Sequence, residues 1–426
     1  MDLQAKLKEG FALYQQGKFA EAEHIYAQIL QQQPNNFDAL HFLGLLALQT
    51  NRIERGVALI GEAIAINAGF APAHCNLGNG FLALKRPEEA LASYDKAIAL
   101  RPDLVVAYSN RGNALQALNR PEEALASCDK AIALKPDYAK AYNNRGNVLI
   151  DLKRSEEALS SYEKAIALQP AYAEAYSSRG NALQALKRPE EALRSCDKAI
   201  ALKPDLAEAY NNRGNVLQAL KRPGEALASY DQAIALKPDY AEAYSNRGNA
   251  LQALKRPEEA LASYDRAIAL NPDFAEAYDN RGNALIDLKR PEEALTSYDR
   301  AIALQPNYAE ANNNRANALQ VLNRPEEALV SCDQAIALKS DYAEAYGNRG
   351  NALQALKRPE EALASYDQAI ALKPDNPSGH VGLAIAYARL GNKAGAEQEE
   401  AKASALRIAP KVSSHAPSDV DLPNAQ

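Results

Sequence analysis

A proline recurs every 34 residues along most of this chain: Pro34, Pro102, Pro136, Pro170, Pro204, Pro238, Pro272, Pro306 and Pro374, with only Ala68 and Ser340 breaking the series. A fixed period of that length constrains the fold more than any other feature. It marks a stacked array of small helical units, each touching only its neighbours. The unit is plainest in residues 241–274, AEAYSNRGNALQALKRPEEALASYDRAIALNPDF. Numbering positions 1 to 34 from Leu3 gives twelve repeats ending at Pro410. Repeats 3 to 11 (71–376) are near-identical, while repeats 1 and 2 (3–70) and repeat 12 (377–410) diverge. The Ser/Pro/Asp-rich tail, 411–426, is expected to be disordered.

Each repeat reads as two helices. Helix A spans roughly positions 1 to 14, with positions 4, 8 and 11 on one face and 7 and 14 beside it, as in Tyr244, Gly248, Leu251, Arg247 and Leu254. Helix B opens at position 17 with proline and two glutamates (Pro257, Glu258, Glu259), which suit a first turn and the positive end of the helix dipole. Its apolar face is Ala260, Leu261, Tyr264, Ala267 and Ile268, and Pro272 stops it. The aspartate at position 33 is expected to cap the next helix A, with Asp239 and Glu242, or Asp273 and Glu276, forming a capping box. In repeat 12, Glu397, Glu399, Glu400 and Lys402 make a polar second helix, which suits a terminal cap with one face in water.

Small residues at positions 8, 20 and 27 (Gly248, Ala260, Ala267), leucine at 11 (Leu251), tyrosine at 24 (Tyr264) and proline at 32 (Pro272) recur in nearly every unit. This pattern resembles the tetratricopeptide repeat family, departing from it at position 7, where arginine stands in place of the usual leucine. The resemblance implies an all-α, right-handed superhelical solenoid of about twelve helix-turn-helix repeats, with helix A lining the concave face.

Composition narrows the function classes. Net charge is −6 with 24% charged residues, which speaks against nucleic acid or an anionic membrane as partner. No apolar run is long enough to cross a bilayer, and the opening MDLQAKLKEGFALYQQGK lacks a signal-peptide core, so a cytoplasmic location is the default expectation. Cys128, Cys196 and Cys332 all stand at position 24, two or more repeats apart, and Cys75 stands alone. Helix packing distances put them too far apart for a disulfide or a shared metal, so they read as core packers. The histidines His24, His41, His74, His380 and His415 have neither ligand nor triad spacing, and no glycine-rich phosphate loop occurs. No enzyme, metal or cofactor is expected.

The candidate site is the exposed face of helix A. Position 6 carries Asn76, Asn110, Asn144, Asn212, Asn246, Asn280, Asn314 and Asn348, interrupted only by Ser178. Position 9 carries Asn79, Asn113, Asn147, Asn181, Asn215, Asn249, Asn283, Asn317 and Asn351. Both positions lie on one stripe opposite the packing face. A carboxamide has an acceptor and two donor hydrogens, the complement of a peptide group. Two such columns would hold an extended or disordered segment of another protein by its backbone, or else would bond to neighbouring helices. The family offers two precedents. The carboxylate clamp of co-chaperones, which needs lysine at position 5 and arginine at position 6, is absent: position 5 holds Ser245, Asn211, Asp279 or Gly347. The column at position 6 resembles the asparagine ladder of protein O-linked N-acetylglucosamine transferases, and the divergent opening resembles the front of bacterial proteins of that type. No catalytic domain of that type is expected in the short tail after Pro410.

Two further features call for a role. Arg111, Arg145, Arg179, Arg213, Arg247, Arg281, Arg315 and Arg349 occupy position 7, and the matching acids are Asp129, Glu163, Asp197, Asp231, Asp265, Asp299, Asp333 and Asp367 at position 25. A structural ion-pair ladder is expected. The basic pair before helix B, such as Lys255 and Arg256, reads as solvated turn charge. In the divergent opening, Phe11, Phe42 and Leu45 replace polar residues on the groove side, either tucked inward or forming an apolar docking or self-association patch. Three readings follow: a non-catalytic interaction scaffold; the substrate arm of a glycosyltransferase acting in trans, favoured by a neighbouring gene for the catalytic part; and a self-assembling homo-oligomeric solenoid, favoured by concentration-dependent mass without peptide binding.

Overall fold

The computed structural model describes residues 3–408 and holds 24 α-helices with, among those residues, no strand. The tail 411–426 and the cap's last residues to Pro410 lie outside the described residues. The fold is an all-α superhelical solenoid whose helices group into two compact units, Met1–Leu236 and Lys237–Gln426. The helices of repeats 1 to 7 lie in the first and those of repeats 8 to 12 in the second. Within each unit, helix A packs on its own helix B, helix B packs on the next helix A, and successive A helices touch. No two described B helices do. The A helices therefore line the inner side of each unit.

Helix boundaries follow local chemistry. In repeat 8, helix A is Ala241–Ala253 and helix B is Pro257–Leu270. The turn between them places Lys255 at φ 60, left-handed backbone that recurs at position 15 of repeats 2 to 11 on lysine or asparagine. Terminal repeats 1 and 12 use glycine there, Gly17 and Gly391. The Arg256 amide donates to the Leu251 carbonyl (2.9 Å), closing a Schellman turn that satisfies the end of helix A. Arg256 also forks onto Glu259 at 2.6 and 2.7 Å. The basic pair is thus exposed turn charge, as expected, with Arg256 additionally held by Glu259.

The expected aspartate cap does not form. The N-cap of Ala241–Ala253 is Tyr240, at position 34, and it makes no side-chain cap bond. Asp239 sits one residue too early and contributes its backbone carbonyl to the Ala241 amide. Asp273 does the same one repeat later. Where position 34 is asparagine, a cap does form: Asn36 accepts from the Ala39 amide (3.0 Å) and Asn376 from Ser378 (3.1 Å). The glutamate at position 2 instead pairs with the lysine at position 31 of its own repeat, as in Glu174 with Lys203 (2.8 Å) and Glu344 with Lys373 (3.1 Å).

Glycine at position 8 is dictated by the ring at position 24. A Cβ on Gly282 would stand 2.4 Å from Tyr298, and one on Gly248 2.5 Å from Tyr264. Repeat 10 has Ala316 there, buried opposite Cys332. Repeats 4 and 6 keep glycine opposite cysteine, where a Cβ would stand 2.7 Å from Cys128 Sγ and 2.6 Å from Cys196 Sγ, so repeat 10 alone of the three pairs the sulfur with a methyl. All four cysteines are free and buried, and burial pushes the thiols of Cys128 and Cys332 up to about 12. They are packing residues with little thiolate character.

The arginine ladder exists, in a register different from the expected one. Arg145 bonds Asp129 (2.7 Å), Arg281 bonds Asp265 (2.6 Å) and Arg315 bonds Asp299 (2.6 Å), so each arginine reaches the acid of the preceding repeat. The series begins with Arg111 on Asp95. A second nitrogen donates to the serine at position 23 of its own helix B, as Arg281 does to Ser297 (2.7 Å). Helix A lies between two B helices, and arginine is long enough to bridge both. The leucine usual at this position would join neither acid nor hydroxyl. The cap also departs from expectation. Glu399 is buried rather than in water, held by His380 Nδ1 (2.5 Å) and Lys402 Nζ (2.7 Å).

Candidate functional site

The asparagines at position 6 direct their amide nitrogen backward along the array. Asn144 Nδ2 donates to Ser109 Oγ (3.0 Å), Asn212 to Ser177 Oγ (3.0 Å), Asn314 to Asp279 Oδ1 (3.0 Å) and Asn348 to Asn313 Oδ1 (2.8 Å). Each acceptor is the position 5 residue of the preceding helix A. Asn76 donates to His41 (3.1 Å), again at position 5, and Asn110 reaches Asn79 (2.8 Å) because position 5 of repeat 3 is Cys75. Asn280 follows Ser245, whose buried hydroxyl lacks a partner. Asn246 completes the column in a half-buried setting.

Position 9 is arranged the opposite way, with the carbonyl end taken. Tyr162 donates its hydroxyl to Asn147 Oδ1 (2.9 Å), Tyr230 to Asn215 (2.7 Å), Tyr264 to Asn249 (2.7 Å) and Tyr298 to Asn283 (2.8 Å). Tyr94 does so to Asn79 and Tyr366 to Asn351, both at 2.8 Å. Asn113, Asn181 and Asn317 belong to the repeats with cysteine at position 24 and meet no such hydroxyl. Asn181 and Asn317 are exposed, as are Asn79 and Asn351.

These columns border concavities within each unit. One of about 220 Å³ is lined by Gln116, Asn147, Asp151, Ser178, Asn181 and Asn212. Another of about 290 Å³ is lined by Asn348, Asn351, Glu344, Lys373, Asn376 and others. Gln116 and Asp151, which join each other at 2.7 Å, were not among the residues expected from sequence. The signal for them is a local departure from copying: repeats 5 and 9 read Ile-Asp at positions 12 and 13 (Ile150, Asp151; Ile286, Asp287), where most copies read Gln-Ala.

Asp279 is the one carboxylate at position 5 among residues that are otherwise neutral or uncharged there in repeats 3 to 11. Burial raises it to about 6, and Glu310 and Glu276 add repulsion, while the amide of Asn314 pulls the other way.

The divergent opening brings Phe11 and Phe42 together, ring centroids 5.2 Å apart, with Phe42 stacked on Tyr26 at 5.8 Å. Phe42 is half-buried, and Phe11 remains 39% exposed. Leu45 lies further along, lining a largely apolar concavity of about 480 Å³ with Tyr14, Leu48, Ile53, Asn76 and Asn79. Among the described residues there is no cluster of metal-ligating side chains and no helix long and apolar enough to cross a membrane.

Comparison with known proteins agrees with this geometry. Models described as tetratricopeptide repeat match residues 13–74, 71–104, 105–138, 127–160, 173–206, 207–240, 241–274, 263–296, 343–376 and 377–399. A model described as TPR repeat matches 146–187 and 282–323. A search of curated protein sequences finds no significant match. Among solved structures, the chain is similar to one in the crystal structure of the APC/C hetero-tetramer Cut9–Hcn1, with TM-score 0.52 and 12% identity over 93% of this chain and 92% of that one. At that identity the likeness is one of fold. Repeat after repeat, sequence, packing and comparison agree: the chain belongs to the tetratricopeptide repeat family.

Proposed function

We propose that this protein is a protein-interaction scaffold that holds extended polypeptide segments along the helix-A face of each unit, reading the backbone rather than the sequence. One observation carries the reading: the two columns are pinned by opposite ends of the same side chain. Position 6 spends its amide nitrogen on the preceding repeat, so at half-buried Asn212, Asn314 and Asn348 the carbonyl oxygen is the end left to a ligand, whereas Asn110 and Asn144 are buried and serve the stack. Position 9 spends its oxygen on a tyrosine, so its amide hydrogens are the end left to a ligand. A strip of acceptors beside a strip of donors complements the N–H and C=O groups of an extended chain. Pinning also fixes the rotamers before binding, which lowers the entropy cost of association. Contacts spread over near-identical repeats favour avidity over a single hot spot. The patch of Phe11, Phe42 and Leu45 forms the apolar end of the same surface.

The test is capture of proteins from native lysate by wild type and by Asn147→Asp/Asn215→Asp. Aspartate keeps the oxygen that accepts from Tyr162 and Tyr230 and removes the outward donors. Proteins held by wild type should leave the variant while its melting temperature stays within a few degrees. Retention of the same proteins by a folded variant would show that the columns serve the stack alone, and Phe42→Asp would then test the apolar end.

A further inference from the structure

Away from the asparagine columns, repeat 10 lacks a side chain that seven sister repeats possess. Position 4 is tyrosine in repeats 4 to 9 and 11 (Tyr108 to Tyr278, and Tyr346), but Asn312 in repeat 10. In the sister repeats that ring lies along its own helix B. Tyr176 packs against the same buried cluster, around Ala199 and Leu206, as Ile200 and Leu202 at positions 28 and 30. The guanidinium of Arg266 lies 5.9 Å from the centre of Tyr244, and that of Arg300 lies 6.0 Å from Tyr278, both from position 26. Asn312 leaves this space empty. Its amide folds back onto the Tyr308 carbonyl (2.9 Å), and the residue is 2% exposed.

What remains is a mostly apolar concavity of about 360 Å³, lined by Ile302, Pro306, Asn312, Gln334, Ala337 and Leu338. Gln334 and Leu338 stand at positions 26 and 30, the same places that flank the ring elsewhere. Leu338 is 43% exposed, more than Leu100, Leu134, Leu236 or Leu372 in the same column. Gln334 replaces the arginine of repeats 8 and 9, offering an amide where those repeats offer a cation.

We propose that this socket receives a tyrosine side chain presented by a partner polypeptide. The sister repeats supply the argument for the occupant: positions 26 and 30 of helix B, which carry Gln334 and Leu338 here, accompany a phenol ring at position 4 in repeats 8 and 9 and in repeat 6 respectively, while Ile302 and Pro306 of repeat 9 close the other side. An apolar body enters between Ile302 and Leu338, and the hydroxyl meets Gln334, which matches the amphipathic character of tyrosine. This inference is independent of the backbone-reading groove, because it uses none of the asparagines at positions 6 and 9.

The test uses the full chain with labelled isoleucine and leucine methyls and three probes: Ac-Gly-Tyr-Gly-NH2, Ac-Gly-Leu-Gly-NH2 and p-cresol. The tyrosine peptide should shift the Ile302 and Leu338 methyls saturably, at least tenfold more strongly than the leucine peptide. Asn312→Tyr should fill the socket from within, weaken peptide binding at least tenfold and raise the melting temperature. Tyr278→Asn should open a second socket in repeat 9 and change the stoichiometry from one to two. That gain of a site decides the matter even if Asn312→Tyr fails to fold. Three results would overturn the proposal: no saturable shift in wild type, unchanged binding in a folded Asn312→Tyr, or p-cresol binding more tightly than the peptide, which would make the site one for free phenols.

Discussion

Repeats 8 and 10 of the second unit share most of their sequence yet solve the same packing problem differently. Repeat 8 sets Tyr264 over Gly248 and uses the tyrosine hydroxyl to hold Asn249 (2.7 Å). Repeat 10 sets Cys332 over Ala316, leaves Asn317 exposed without a tyrosine hydroxyl, and replaces the ring of Tyr244 by Asn312. In repeat 10 a smaller residue at position 24 is joined by a larger one at position 8, whereas repeats 4 and 6 keep Gly112 and Gly180 opposite Cys128 and Cys196; in all three the polar contact across the helices is lost with the ring. Copying preserves the fold while varying which repeats offer pinned asparagines and which offer free ones.

The strongest way to break this contrast is to mismatch the pair. Gly282→Ala puts a methyl 2.4 Å from the Tyr298 ring, and should lower stability by about 2–3 kcal/mol even after the gain in helix propensity. Cys332→Tyr should cost a similar amount against Ala316, and adding Ala316→Gly should recover most of it. Denaturant midpoints of the two single variants and the double variant measure this coupling. Simple additivity would show that the two positions are not a packing pair.

A smaller effect, of opposite sign, concerns the residue on which repeat 10 is hung. Asp279 accepts from Asn314, but its folded-state value of about 6 lies above its ordinary 3.8. A raised carboxyl favours the neutral form in the folded state, so its ionisation weakens the fold as pH rises from about 3.8 to about 6. Asp279→Asn should therefore stabilise the protein at pH 7 by about 2 kcal/mol, the shift converted at about 1.4 kcal/mol per unit and reduced for relaxation. The gain should vanish below pH 4. Asparagine already makes the same bond at Asn313 with Asn348. A gain independent of pH between 4 and 7 would point to a cause other than this carboxyl.

The smallest effect belongs to the ladder that both kinds of repeat share. Arg281→Ala removes bonds to Asp265 and Ser297, partly exposed to solvent. The loss should be about 1 kcal/mol and should shrink at high salt. If salt leaves the difference unchanged, packing of the arginine stem rather than charge is what the substitution removes.

Much of this was legible in the sequence because a repeat is its own control. The 34-residue period, both helices, the proline starts and the two asparagine columns could be read from spacing alone. Contacts between repeats could not. The arginine at position 7 lies the same 34-residue lattice away from acids before and after it, and only the stacking order selects the earlier one. The misplaced cap has a similar cause, because Asp239 and Tyr240 are adjacent in sequence and the turn geometry decides which becomes the N-cap.

The sequence by itself determined that this chain is a solenoid of paired helices, because periodicity and backbone propensity are local properties that every copy restates. Only the tertiary structure decided which end of each asparagine is occupied. That choice depends on a tyrosine fifteen residues away at Asn249 and on a serine thirty-five residues away at Asn212, groups brought within hydrogen-bond reach by helix packing and not by the order of the chain.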